Sequence, residues 1–173
     1  LSFLSSPIGL ADAVQTGPIR RQADGLIALL RDPKRTHAHL VTLAEEMPVS
    51  ETLETATALD AEVKIAHGVV FANAVFDYSL QADEVASITS RAEGLKARAK
   101  DVGIDLDDED IGALRGYAHW LAARCEIQRR HLDNLDKGLA QPIVKLPYLF
   151  SSGLALPDVE LLADAIEERI EEL

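Results

Sequence analysis

The sequence predicts an α/β fold built on a parallel sheet, and three observations carry that prediction. Three short, β-rich apolar runs, HLVTLA, IAHGVVFAN and QPIVKLP, read as buried strands at residues 39–44, 65–73 and 141–147. Stretches of helical period separate them, with apolar residues recurring every three or four positions. Proline, glycine and aspartate punctuate the joints. Strand and helix signals that alternate along one chain are what parallel strands joined by helical crossovers produce.

Each element has its own warrant. In GPIRRQADGLIALLRDP, Pro18 occupies a first helical position and Ile19, Ala23, Leu26, Ile27 and Leu30 form one stripe. The segment RDPKRTH ends that helix, and the first strand follows. A second helix opens at Pro48 and repeats Val49, Leu53, Ala56 and Leu59. After the second strand, residues from Asp83 to about Val102 read as a charged, weakly amphipathic helix. DLDDED is a turn and helix start, its acids favoured by the N-terminal dipole. A long helix then runs from about Ile111 to Lys137 on the stripe Leu114, Tyr117, Leu121, Cys125, Gln128, Leu132 and Leu135. The third strand, with Pro142 at its start, leads to a final helix carrying Val159, Leu162, Ala163, Ile166 and Ile170. Three strands make a narrow sheet against the usual five or so, so further strands are expected from missing sequence or from another chain.

Composition narrows the function. The 173 residues carry 17 basic and 29 acidic side chains, a formal net charge of -12. That argues against nucleic acid, whose phosphates need clustered Lys and Arg, and against an anionic membrane surface. A nucleotide stays open, because backbone N–H groups and one or two cations suffice to hold its phosphates. Cys125 is the single cysteine, so neither an internal disulfide nor a cysteine-based zinc cage is available. No apolar run approaches the ~20 residues of a membrane span, and no signal peptide is visible, so a soluble cytoplasmic protein is expected.

Four ordered stretches, LVTLAEEMPVSETLETATAL, GVVFAN, RCEIQRRHLDNL and IVKLPYLFSSGL, together resemble the arsenical-pump and tail-anchored-protein-targeting ATPase family, nearest its bacterial anion-transporting branch. The family's members are dimeric or pseudo-dimeric P-loop ATPases of the deviant Walker A type. Their strands end in Pro/Ala-Glu-Glu/Phe, in Val-Asn-Arg/Gln and in Leu-Pro-Leu/Tyr-Leu, and their long helix carries Arg-x-x-x-Gln-x-x-Tyr/His-Leu. LSFLSSP (Leu1 to Pro7) looks like the tail of the family's switch II. On that resemblance the chain is the C-terminal portion of one P-loop ATPase-like domain, with the phosphate-binding half upstream. No glycine here is followed by lysine, as a P-loop requires.

The resemblance implies ATP as ligand, magnesium held by the absent half, and a related ATPase subunit as homo- or heterodimeric partner. It also implies site residues, each of which has a plainer reading. Glu45 and Glu46 match an acidic pair at the subunit interface near the ribose and base; equally, they suit a solvated turn before a helix N-terminus. Asn73 matches the family's adenine contact, its amide offering both a donor and an acceptor; it also suits an Asx turn. Pro147, Tyr148 and Leu149 match the wall of the adenine pocket, or form a buried turn. Ala74 departs from the family's Arg or Gln, and Ala118 and Leu121 stand where eukaryotic relatives place zinc-binding cysteines. Cys125 reads as a packed thiol, and His37 with His39 is too few ligands for a metal. Met47 is the only methionine, against the Met-rich groove of relatives that carry transmembrane helices. The expected intact protein hydrolyses ATP at a dimer interface, and this chain alone is inactive. The alternatives are a catalytically silent subunit that pairs with an active ATPase, and an unrelated α/β nucleotide-binding enzyme.

Overall fold

The computed structural model describes residues 1–76 and 91–171. Its elements run α1 (Ser2–Ala13), α2 (Pro18–Arg31), β1 (His37–Leu43), α3 (Glu46–Ala58), a π-helical turn (Leu59–Val63), β2 (Ala66–Val75), α4 (Ala92–Asp101), α5 (Asp108–Gly138), β3 (Ile143–Pro147) and α6 (Leu156–Glu171). They fall into two units, Leu1–Val75 with His131–Leu173, and Phe76–Arg130.

The first unit holds a three-stranded sheet in the order β1-β2-β3, parallel throughout. One face is closed by helices. Leu40, Val70 and Ile143 meet Val49 and Leu53 of α3 and Leu135 and Leu139 at the end of α5. Beside them Ala44, Ala72, Val75 and Leu132 form a second cluster. Leu59, Val63 and Ile65 form a third, against Leu4 of α1 and Leu30 of α2. Arg31 ties α2 to this region by donating from Nε to the Val63 carbonyl at 2.9 Å.

The expectation of a fully buried first strand is corrected. His37, His39, Val41 and Leu43 alternate as exposed residues, Val41 to 67%. β1 is an edge strand with only one face covered among the described residues, so its period-2 alternation becomes visible. The imidazole of His39 lies over Gly68 of β2, so closely that a Cβ at position 68 would run into the ring, and it tilts against Phe71 at 5.9 Å.

Other boundaries also move. Of LSFLSSP, residues Ser2 to Pro7 lie in α1, where Ser5 and Ser6 bond back to carbonyls, Ser6 Oγ to Phe3 at 2.8 Å. α3 begins two residues before Pro48, whose missing N–H goes unused in a first turn. β2 does not stop at Asn73 but continues to Val75. β3 starts at Ile143, after Pro142 has accepted a bond from Val70 N–H. Of the helix expected from Asp83, residues 83–90 lie outside the described residues, and α4 represents the rest.

The second unit is helical where it is described. α5 opens on a reciprocal cap: Asp110 N–H donates to Asp107 Oδ1 at 2.8 Å and Asp107 N–H to Asp110 Oδ2 at 3.0 Å. Its buried positions within this unit are Ile111, Ala118, Leu121 and Gln128, whereas Leu114 and Tyr117, expected on the apolar stripe, are 40% and 47% exposed. Gln128 sets the phase: its Oε1 accepts the backbone N–H of Phe76 at 2.8 Å in a buried setting. Tyr117 stacks instead on Trp120, whose ring meets Phe76 edge-on at 5.7 Å.

Candidate functional site

Parallel strands deliver their C-terminal ends to one edge of a sheet, where open α/β sheets bind ligands. Here that edge gathers residues that are far apart in sequence. Leu43 at the end of β1 pairs with Asn73, and Val75 at the end of β2 pairs with Pro147 at the end of β3. The ladder runs one step further, Tyr148 N–H donating to the Val75 carbonyl at 2.8 Å. All six residues singled out from the sequence therefore stand at the ends of three adjacent strands or just beyond.

Their settings differ. Glu45 N–H donates to the Leu43 carbonyl at 2.8 Å, turning the chain out of β1, and Glu45 then takes the N-cap position of α3 with its carbonyl accepting from Val49. Glu46 lies in the first helical turn, exposed, where a carboxylate is favoured by the unpaired N–H groups. Asn73 is exposed and lines a groove of about 440 Å³ with Leu40 to Leu43 of β1 and Pro48, Glu51, Thr52 and Thr55 of α3. The groove takes in Asn73 but none of the other five residues. Pro147 and Leu149 are half-buried, and Tyr148 is 41% exposed.

Two features of this edge escaped the sequence reading. Phe150, 58% exposed, meets the Tyr148 ring at 4.9 Å and 69°, so the strand end carries an aromatic pair. Aromatics two apart after a strand were a legible signal. Ala74 gave none. It holds φ 56°, in the left-handed region that costs a residue with a Cβ roughly 1–2 kcal/mol.

Chemically, the edge offers an amide that both donates and accepts, an exposed aromatic pair and two carboxylates. Such groups suit the base and sugar of a nucleotide better than its phosphates. Among the described residues no three His, Cys, Asp or Glu side chains come together to hold a metal. In the second unit burial pushes the Cys125 thiol up, away from the thiolate form a nucleophile needs, and its Sγ lies 3.7 Å from the Phe76 carbonyl. No helix among the described residues is long and apolar enough to cross a membrane.

No protein-family model matches the chain. ATPase BagA of Mycobacterium tuberculosis (strain ATCC 25618 / H37Rv) is 29% identical over 174 residues, covering 96% of this chain and 49% of that protein. Proteins named as ATPases in Mycobacterium bovis and in Mycobacterium tuberculosis strain CDC 1551 match with the same identity and coverage. The chain spans about half the length of the curated relatives it matches, and over nearly all of its own length it is similar to proteins named as ATPases.

Proposed function

We propose that this chain is the C-terminal portion of a P-loop ATPase-like domain of the deviant Walker A class, in the arsenical-pump and tail-anchored-protein-targeting family. It supplies the adenine side of an ATP site and part of a dimer surface. The observation that carries the reading is the placement of Asn73 and Tyr148 at the C-terminal ends of neighbouring strands. The two belong to motifs that sequence separates by 75 positions. The similarity to proteins named as ATPases supports it.

In this reading Asn73 bonds the adenine edge, Tyr148 and Phe150 offer ring faces to the base, and Pro147 and Leu149 wall the pocket. Glu45 and Glu46 face the ribose side and a partner subunit. The outer phosphates and magnesium lie against residues that this chain does not contain, and their chemistry is charge neutralisation during phosphoryl transfer. Binding and loss of the γ-phosphate then bias the dimer between closed and open arrangements. The edge and face of β1 that the described residues leave uncovered fit a sheet completed by further strands.

The test is Asn73→Ala in the full-length protein, titrated calorimetrically with ATP and GTP. Losing one or two hydrogen bonds to the base costs about 1–3 kcal/mol, a fall in ATP affinity of roughly tenfold to a hundredfold. GTP affinity should change much less. Equal ATP affinity in both proteins would return Asn73 to a plain strand-end residue.

A further inference from the structure

We propose that Ala74 is a positioning residue for the base contact of Asn73; the inference rests on the nucleotide reading above. The observation is a mismatch in register. Ala72 pairs with Lys145 and Val75 with Pro147, so three steps along β2 match two along β3. One extra residue is therefore inserted in β2, a bulge of a kind uncommon between parallel strands. Against β1 the pairing shifts once between Ala38 and Leu40 and is then regular from Leu40 and Val70 through Leu43 and Asn73, so the insertion against β3 begins just past Asn73.

The bulge changes which way side chains point. In a regular strand, residues 72 and 75 face opposite sides of the sheet. Here Ala72 and Val75 are 0% and 6% exposed and share one cluster with Ala44 and Leu132. The strand thus returns Val75 to the core face while leaving Asn73 exposed on the groove between β1 and α3. Both placements hold together because Ala74 takes φ 56°. A strand of strict alternation would set Val75 on the side of Asn73, and the core demand for Val75 would then move Asn73. Alanine is an unforced choice at such a site. Glycine adopts this conformation freely and asparagine tolerates it, whereas a β-branched side chain resists it. Bulges gather beside functional sites because they re-aim one side chain in this way.

The prediction separates conformation from bulk. In the full-length protein, Ala74→Gly and Ala74→Asn should bind ATP within about threefold of wild type. Ala74→Val should lose about tenfold or more, with the ATP-to-GTP preference falling toward that of Asn73→Ala. The double variant N73A/A74V should bind no more weakly than the weaker single variant, because the two act through one contact. Circular dichroism and thermal midpoints identify the folded variants. If Ala74→Val does not fold, Ala74→Thr against Ala74→Ser carries the same branched-to-unbranched comparison. A folded Val or Thr variant with wild-type ATP affinity and base preference, alongside a weakened Asn73→Ala, would overturn the positioning role and leave the nucleotide reading standing. Unchanged ATP affinity in Asn73→Ala itself would remove the reading, and the inference with it.

Discussion

The two units of the chain hold their shape by different means. In the sheet unit the deepest positions are aliphatic: Leu135, Val63, Val70 and Val144 are the largest fully buried side chains among the described residues, and all four belong there, while Phe3, Val41 and Leu156 of the same unit stay exposed. In the helical unit the buried set includes an amide. Val102, Ile104, Leu114, Tyr117 and Trp120 are exposed, while the amide of Gln128 is 3% exposed. Apolar residues decide the packing where strands and helices enclose them on one side. Where they do not, a single buried polar group selects the phase of a helix, because an amide removed from water must find its partner.

The sharpest way to break this contrast is to truncate one large side chain in each unit. Leu135→Ala should cost about 2–5 kcal/mol of unfolding free energy, the loss of a buried leucine plus the cavity it leaves. Tyr117→Ala should cost about 1 kcal/mol or less, since only its stacking on Trp120 is given up. Urea midpoints at matched slopes check both; equal losses would mean that exposure misreports the packing of α5.

Gln128→Leu tests the polar half of the comparison. It keeps the side chain's bulk and removes the acceptor for Phe76 N–H, so a loss of about 1–3 kcal/mol is expected. An unchanged midpoint would assign the phase of α5 to its leucines after all.

The smallest effect should come from Lys96 and Asp108, which meet at 2.6 Å on the surface. The hydrogen bond to Lys96 holds the Asp108 carboxyl below its usual value of 3.8, and the same bond holds Lys96 above 10.5. The pair's support is therefore present at neutral pH. It is lost as pH falls through the lowered carboxyl value, and again as pH rises through the raised ammonium value. Thermal midpoints of wild type and Asp108→Asn should differ slightly at neutral pH and converge in acid. A gap that persists in acid would assign the effect to the helix start rather than to the charge.

The same division explains what was legible. The three strands announce themselves because VVF, IV and LV are β-branched or apolar where parallel neighbours meet. The ordered motifs also named residues that the topology then gathers at one edge, since parallel strands necessarily end together. The exposed face of β1 was hidden, because composition states that Val41 is apolar and not that it lacks a cover. α1 was hidden by Ser2, Ser5, Ser6 and Pro7, poor helix formers; the hydroxyls of Ser5 and Ser6 are satisfied locally only once the helix exists. The start of α3 was read two residues late, at Pro48, because a proline tolerated anywhere in the first turn does not say which turn residue it is. The groove beside Asn73 is a property of three elements at once, β1, β2 and α3, and has no trace in any one alone.

The contact between His39 and Gly68 carries a consequence for the lineage of this chain. The ring occupies the volume that any side chain at position 68 would claim, so the two sites are one shared space divided between neighbouring strands. Related chains that fill position 68 are expected to carry something small or redirected at position 39. The two columns would then co-vary, an imprint of strand pairing readable in aligned sequences alone.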